Sequence, residues 1–396
     1  MLKGLIKSES IFVIILVIIN IGLLFLPTNF EKSGNGSIPS KALVIGIDNN
    51  QVEQRGIVKT GVQEVKLKIL NGPFKGQEVS SPNNLKGQLE LDKMFNVGDK
   101  ALVVIDHAGD KLIFANVIDH YRINIEIILF IIFIALLIIF AGWTGVKSVI
   151  SFVFTLLMIW KILIPGFLKG WNPVILALVV VTILIGATTY LVAGLNRKAL
   201  VAFLGAFSGI VLTCIFALFF GRFFNIHGAI IAFSESLLYS GYANLDLTRI
   251  FLAGIFIASS GAIMDVTMDI SVSMHEVVLK KPNISTKEVI KSGFSVARAV
   301  VGTMTTTLLL AYSGGYTGML MVFMAQGTPL INVFNITYVA GEFLHTIIGS
   351  FGLVLVAPLT AILGGILYTQ PNYIKSLEGE IQKENVDLLD ISARVL

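Results

Sequence analysis

Residues 123–141 read INIEIILFIIFIALLIIFA, and from position 127 onward this stretch contains no polar side chain. A helix needs about 20 apolar residues to cross the hydrocarbon core of a bilayer, which is roughly 30 Å thick. The whole chain of 396 residues is 55% hydrophobic and 14% charged, whereas soluble domains carry about 25% charged residues. So few charges cannot cover a surface that faces water. The sequence therefore predicts a helical membrane protein.

Eight apolar stretches are long enough to span a bilayer as helices. They are residues 10–27, 123–141, 145–164, 173–193, 199–220, 249–270, 296–313 and 342–368. The first follows Lys3 and Lys7 and has no small-residue cleavage site, so we interpret it as an uncleaved anchor. Two segments fit a simple span poorly, because residues 221–248 are polar and residues 314–340 begin with Gly-Gly. Re-entrant and interfacial placements of these two segments both stay open.

The basic residues of the loops predict how the chain is oriented. If the N-terminus is cytoplasmic, the loops on that side contain Lys147, Arg197 and a basic cluster at 280–298. Because the opposite loops carry less positive charge, we expect both termini in the cytoplasm. The protein is then a multi-pass protein of the cell (cytoplasmic) membrane, with residues 28–122 outside the cytoplasm.

Charged residues are distributed unevenly, and their distribution divides the chain into regions. Residues 28–122 contain 12 Lys or Arg and 11 Asp or Glu. This near balance argues against nucleic acid as a partner, since a nucleic-acid-binding domain needs a basic surface. The predicted regions are an N-terminal transmembrane anchor at 1–27, an extracytoplasmic β domain at 28–122, a seven-helix transmembrane domain at 123–370 and a cytoplasmic tail at 371–396.

The extracytoplasmic insert has the sequence pattern of a small β domain. Residues 62–69 alternate apolar and polar side chains, as a half-buried strand does. Turn residues separate this run from similar ones. The other predicted strands are 41–48, 87–92, 101–106 and 111–118. Five or six short strands favour a closed barrel, and we expect an OB-like one. A spacer or a docking module for a partner protein is the role we expect for this domain.

The strongest candidate site lies in the sixth span. Residues 254–269 read GIFIASSGAIMDVTMD, and at 100° per residue the small residues share one helical face with Asp265 and Asp269. Ionisable residues inside spans are costly and usually mark function. Small residues on the same face let a neighbouring helix approach closely. We therefore expect the two carboxylates to face the interior of the bundle rather than lipid.

The seventh span brings hydroxyl groups to the same depth. Arg298 is followed by GTMTTT at 302–307, and helical rise places these hydroxyls at roughly the depth of Asp265. Carboxylate and hydroxyl oxygens suit hard cations or a proton relay. The alternative is that each threonine bonds a carbonyl of its own helix. The predicted substrate or ion site consists of Asp265, Asp269, Thr303, Thr306, Thr307 and Arg298.

A secondary candidate lies at the start of the last span. Glu342 and His345 are spaced i, i+3, which puts both side chains on one helical face. They could bind or gate at the outer side, and an interfacial capping pair explains the spacing equally well. The sequence leaves open whether either site takes a metal ion.

Motifs of enzymes are missing from the sequence. His275-Glu276 is followed by Val277-Val278-Leu279, so the chain has no HExxH zinc helix. A P-loop, a GxSxG turn and a Gly-rich dinucleotide turn are missing as well. The chain has one cysteine, Cys214, in an apolar run, so a disulfide framework is excluded. The sequence therefore predicts neither an enzyme nor a cofactor.

Three motifs along the helical part support a family resemblance. They are GAIMDV at 261–266, GTMTTTL at 302–308 followed by Ala311-Tyr312, and the segment from Glu342 through Gly349-Ser350 to PLTA at 358–361. Together these motifs resemble the YibE/F-like family of bacterial multi-pass membrane proteins. The resemblance covers nearly the whole chain and implies a shared membrane fold, but it implies little about activity.

The chain departs from the pattern of that family at four positions. Ala299 stands where the family tends to have Asp, Thr306 where it tends to have Asn, His345 where it tends to have Arg, and Asp269 where it more often has Ser. Asp265 is the position that the resemblance carries over best.

Two hypotheses about function follow from the sequence. The first is a permease for a cation or small solute, coupled to an ion and embedded in the lipid bilayer. The second is a scaffold without transport activity, whose outer β domain docks a partner protein. Small-residue stripes such as the one at 205–209 could serve internal packing or a homo-oligomer.

Overall fold

The computed structural model describes residues 2–28, 30, 37–375 and 377, with side chains from residue 10 onward. The predicted tail at 371–396 therefore lies largely outside the described residues. The chain divides into two compact units. A β unit comprises Thr28–Phe140, and a helical unit comprises Met1–Pro27 together with Ala141–Leu396.

The protein is mostly helical within the described residues. Its helices are α1 Leu2–Phe25, α2 Ile123–Met158, α3 Ile164–Leu168, α4 Pro173–Ala193, α5 Arg197–Phe223, α6 Ser234–Tyr239, α7 Leu247–Lys280, α8 Thr286–Gly315, α9 Thr317–Ala325, α10 Leu330–Asn335 and α11 Thr337–Tyr368. A π-helical turn, Ile159–Leu163, joins α2 to α3, and a 3-10 turn occupies Gly228–Ile230.

Six helical stretches of the described chain are long and apolar enough to cross a membrane. They are Ile123–Leu168, Pro173–Ala193, Arg197–Phe223, Leu247–Lys280, Thr286–Gly315 and Thr337–Tyr368, and Ser10–Phe25 forms a shorter apolar helix. The predicted spans 123–141 and 145–164 fall in one stretch of 46 residues. Within it, Gly142 leaves the helical conformation with φ 55°. The total of eight spans stays a prediction.

Side-chain caps fix where several of the long helices begin. Asn172 accepts hydrogen bonds from backbone N–H groups at the start of α4, and Asn196 accepts one from Ala199 at the start of α5. Asp246 caps α7 in the same way. Ser285 and Glu288 form a reciprocal capping box at the start of α8. Each cap satisfies N–H groups that would otherwise have no partner in the helix.

The core of the helical unit lies where α5, α7, α8 and α11 meet. Ile263, Ile270 and Met274 of α7 are fully buried there. The helices approach closely at glycines. A Cβ at Gly293 of α8 would lie 2.5 Å from the sulfur of Met274, and a Cβ at Gly352 of α11 would lie 2.9 Å from Ile263. Small residues at such contacts let membrane helices pack backbone to backbone.

The β unit contains a nearly closed, barrel-like antiparallel sheet of five strands. The strands are β1 Ser37–Arg55, β2 Val58–Ile69, β3 Glu78–Lys86, β4 Lys100–Ala108 and β5 Lys111–His120. They are arranged in the order β3-β2-β1-β4-β5. The two edges meet where the backbone N–H of Val117 in β5 donates to Ser81 Oγ in β3 at 2.9 Å. Because long β1 pairs with both β2 and β4, it holds the two halves of the barrel together.

One predicted strand of this unit is wrong. Residues 87–92 form a turn segment in which Leu89 and Leu91 are each 59% exposed, and the third strand is instead Glu78–Lys86. Pro82 and several polar residues made this segment look like a turn in the sequence. Proline is tolerated there because β3 is an edge strand that pairs only with β2.

A buried amide network secures the segment between β3 and β4. Gln63 Oε1 accepts hydrogen bonds from the backbone N–H of Phe95 at 3.0 Å and from Asn83 Nδ2 at 3.2 Å. Gln63 Nε2 donates to the carbonyl of Phe95 at 3.0 Å, and Asn83 Nδ2 donates to that of Lys93 at 2.6 Å. Phe95 is thereby held fully buried in the core of the barrel.

Candidate functional site

The two predicted acidic residues lie on one exposed face of α7. Asp265 and Asp269 are exposed, as are Ala258 and Gly261 on the same face, and a Cβ at Gly261 would meet no atom within 4 Å. The opposite face of α7 is buried in the helix core. The helical unit of one chain therefore leaves the small and acidic face of α7 uncovered. This differs from the expectation that neighbouring helices of the same chain enclose the carboxylates.

The predicted residues of α8 are exposed as well. They are Arg298, Thr303, Thr306 and Thr307. Thr303 donates to the carbonyl of Val300 at 3.0 Å, and Thr307 donates to that of Thr303 at 3.1 Å. These hydroxyl protons are thus used within α8, as the alternative interpretation of the sequence expected. The hydroxyl oxygens still have free lone pairs.

Packing contacts show which of these residues lie at the same level of the bundle. Ser259 of α7 and Tyr312 of α8 both lie beside Gly349 of α11. Asp265 lies six residues from Ser259, and Thr306 lies six residues from Tyr312 on the antiparallel neighbour. The structure therefore puts Asp265 and the threonine run at one level. Among the described residues, it shows no ion pair between Arg298 and either aspartate.

The secondary candidate residues lie in a more enclosed environment. His345 Nδ1 is 3.8 Å from Glu342 Oε2, and these two side chains are 18% and 35% exposed. The ring of Tyr312 from α8 packs on the His345 ring, with centroids 4.6 Å apart. Next to this pair, the Tyr316 hydroxyl lies 3.2 Å from Thr346 Oγ1. We call Tyr312, Tyr316, Glu342, His345 and Thr346 the His345 cluster.

The two tyrosines of the His345 cluster are not among the site residues that the sequence predicts. Tyr312 lies in the last turn of α8 and Tyr316 is the residue that follows the helix, and their spacing of four residues in the sequence was the available signal. Two atoms of the cluster, Tyr312 OH and His345 Nε2, are buried and have no hydrogen-bond partner among the residues that the structure describes. A buried polar atom without a partner costs roughly 1–3 kcal/mol, so the two atoms call for an explanation.

The two candidate sites lie at different levels of the helical unit. α7 and α11 run parallel, since Ser259, Ile263 and Met274 meet successive glycines at 349, 352 and 364. With a rise of 1.5 Å per residue, Asp265 lies roughly 15 Å along the bundle from His345. This separation is about half the thickness of a hydrocarbon core.

The side chains present at the two candidate sites limit which ligands they can bind. The described part of the chain holds no group of three or more His, Cys, Asp and Glu side chains arranged to bind a metal ion. Cys214 is buried in the apolar core. Carboxylate, hydroxyl and imidazole groups remain, and these bind protons and hard cations.

The fold and these sites define a membrane protein with several apolar spanning helices and a β domain. Comparison with family profiles identifies the family. A profile described as YibE/F-like protein matches residues 129–370, and one described as YibE/F family N-terminal domain matches residues 41–120. The chain belongs to the YibE/F-like family, as its motifs suggested. No curated protein and no solved structure shows a significant match to the chain.

Proposed function

We propose that this protein is a permease of the cell membrane that moves a cation or a small solute and is coupled to an ion. Both termini lie in the cytoplasm, eight spans cross the bilayer, and an OB-like barrel lies outside the cytoplasm. The strand order supports the barrel assignment, because a five-stranded barrel in which β1 pairs with β2 and β4 is the OB arrangement.

One observation carries the permease proposal. Asp265 and Asp269 lie one turn apart on a helix long enough to span the membrane, and they are exposed on the single chain. A carboxylate facing acyl chains costs about 2.5–3.5 kcal/mol or more. These groups therefore need water, a cation or another polar surface. A hydrated pathway along this face of α7 would surround both carboxylates with water and cations.

The roles follow from the chemistry of each group. The carboxylates of Asp265 and Asp269 bind the cation, and lone pairs of the hydroxyls of Thr303, Thr306 and Thr307 add ligands at the same level. Arg298 balances charge when the site is empty. The helix break between α8 and α9 at Gly315–Thr317 supplies a discontinuous helix of the kind that transporters use.

Flux through proteoliposomes tests this proposal. The purified full-length chain is reconstituted, and uptake of H⁺, Na⁺, K⁺ and Mn²⁺ is followed one at a time with ion-sensitive dyes. We expect flux of at least one ion, with a loss of tenfold or more in Asp265→Asn. The matched control is Glu276→Gln, an exposed acid on the same helix. Equal flux in Asp265→Asn, or none in the wild type, contradicts the proposal.

A scaffold without transport activity is the second candidate. The observation favouring it is the uncovered face of α7, where small residues leave room for a helix of another protein or of a second copy. Deleting residues 32–118 separates the candidates, because a permease keeps its flux without the β unit. Under the scaffold proposal, the deletion removes capture of a partner by the outer domain, and the wild type shows no flux.

A further inference from the structure

The His345 cluster joins two helices that lie side by side. His345 and Glu342 come from α11, and Tyr312 comes from α8. The rings of Tyr312 and His345 pack with an interplanar angle of 35°. From α7, the Phe251 ring approaches His345 edge-on at 6.4 Å. The imidazole is thus enclosed on two sides by aromatic rings, and only 18% of its side chain is exposed.

The two ring nitrogens of His345 have different surroundings. Nδ1 faces the Glu342 carboxylate at 3.8 Å, whereas Nε2 is buried without a partner among the described residues. The Tyr312 hydroxyl is also buried, and the described chain offers it no hydrogen-bond partner. Buried polar atoms in native proteins are nearly always paired, and exceptions often serve chemistry. Two such atoms on two rings in contact are therefore a marked exception.

The carboxylate determines which nitrogen can accept a proton. A negative group beside Nδ1 favours the tautomer that carries its hydrogen on Nδ1, since an N–H then points at the carboxylate. Nε2 is left with a lone pair. The Tyr312 hydroxyl can both donate and accept a hydrogen bond. This arrangement is that of a base oriented by an acidic partner.

We propose that Tyr312, His345 and Glu342 form a proton-binding site, and that the proton is the coupling ion of the permease. The site deepens the proposed function and, as the coupling site, rests on it. A hydronium ion gives its proton to Nε2, so one O–H bond breaks, one N–H bond forms and a water molecule is left. Glu342 balances the charge of the imidazolium, and Tyr312 hydrogen bonds to the water that delivers the proton.

The other groups around the site fit this assignment. Tyr316 and Thr346 pair with each other through their hydroxyls, so they leave Nε2 free. α7 contributes Phe251 beside His345 and Ser259 near Tyr312. The Ser259 hydroxyl donates within α7 to the carbonyl of Ile255. Among the described residues, the titratable groups around His345 are therefore Glu342, Tyr312 and Tyr316.

Nitrogen NMR tests the site without any transported substrate. The full-length protein is labelled with ¹⁵N-histidine and placed in lipid bilayers, and His345→Gln identifies the signals of residue 345 among the five histidines. We expect the hydrogen of neutral His345 on Nδ1, and we expect Tyr312→Phe to shift the Nε2 signal. His227, which is exposed, serves as the unaffected reference. A hydrogen on Nε2, or an unchanged Nε2 signal in Tyr312→Phe, overturns the site.

Proton flux tests the coupling role. Proteoliposomes loaded with a pH-sensitive dye receive wild type, His345→Gln or the control His227→Gln. We expect His345→Gln to lose tenfold or more of its proton flux at unchanged yield of folded protein. Retained proton flux in His345→Gln overturns the coupling role. If the wild type moves no ion at all, the permease proposal fails, and the NMR result still decides whether the proton site exists.

Discussion

The two ends of α11 each bring a histidine together with two tyrosines, but they use them differently. Near the C-terminal end, the Tyr368 hydroxyl lies 2.7 Å from Ser271 Oγ, and the Tyr373 hydroxyl lies 3.0 Å from His275 Nδ1. Near the N-terminal end, Tyr312 OH and His345 Nε2 find no hydrogen-bond partner in the described part of the chain. The same residue types are therefore hydrogen-bonded at one end and leave hydrogen-bonding capacity free at the other. We call Ser271, His275, Tyr368 and Tyr373 the joint.

This difference suggests a structural role for the residues at the C-terminal end of α11 and a ligand-binding role for the His345 cluster. At the joint, Ser271 Oγ also donates to the carbonyl of Lys198, which links α7 to the start of α5. The bonds of Ser271 tie α7 both to α11 and to α5, so they lower the free energy of the folded state. The His345 cluster keeps unpaired atoms at a cost in stability, and such a cost is expected where a group must bind a ligand.

The largest expected effect comes from removing the ring at the joint. Tyr368 is 0% exposed, so Tyr368→Ala opens a cavity and should lower the free energy of unfolding by about 3–5 kcal/mol. Unfolding in mixed detergent micelles, followed by circular dichroism, measures the change. The control Tyr239→Ala, at a ring that is 89% exposed, should change little. A loss below about 1 kcal/mol would show that Tyr368 is not part of the joint.

The next largest loss of stability is expected in the β unit, where the buried side-chain amide of Gln63 is hydrogen-bonded through both its oxygen and its nitrogen. Gln63→Leu leaves both backbone groups of Phe95 without their partner. We expect a loss of about 2–3 kcal/mol and faster hydrogen exchange across residues 93–96 of the full-length protein. Gln51→Leu, at an exposed position of β1, is the matched control. Unchanged exchange in Gln63→Leu would contradict the role assigned to the network.

Removing only the hydroxyl at the joint should have a smaller effect. Tyr368→Phe keeps the ring and deletes the bonds to Ser271, so we expect a loss of about 0.5–1.5 kcal/mol. The same micelle unfolding measures it, with Tyr338→Phe at a half-exposed ring as the control. If Tyr368→Phe proved as stable as wild type, the contrast between the two ends of α11 would disappear.

The smallest effect on stability is expected at the other end. Tyr312→Phe removes a buried hydroxyl that has no hydrogen-bond partner within the described residues, so the free energy of unfolding should stay within about 0.5 kcal/mol or rise. Tyr368→Phe is the direct comparison, because the chemical change is identical. A loss in Tyr312→Phe equal to that in Tyr368→Phe would show that Tyr312 is also structural.

The sequence predicts where the helices and strands of this fold lie better than it predicts which of them pack together. Apolar runs such as 173–193 predict helices closely, because burial in lipid requires both length and composition. The edge strand β3 escaped prediction because Pro82 and its polar neighbours resemble a turn. The break at Gly142 falls between the predicted spans 123–141 and 145–164, but hydropathy did not predict that the residues up to Phe140 group with the β unit.

The candidate site could be predicted only in part. Helical periodicity correctly groups Asp265 with Gly261 on one face of α7, but it does not tell which face the other helices cover. α7 is apolar on much of its surface, so either face could have been buried. The pairing of Tyr312 with His345 depends on how α8 and α11 pack, and a single sequence does not encode that contact in any local pattern.

Met274 gives the bundle a built-in chemical reporter. Its sulfur and terminal methyl group fill the space that side chains at Gly293 and Gly364 would occupy, so one thioether holds three helices in register. Methionine sulfoxide is bulkier and polar, and it would not fit between these glycines. Because Met274 is 0% exposed, peroxide can reach it only when the helices part. The extent of its oxidation, read by mass spectrometry, therefore records how often the bundle opens.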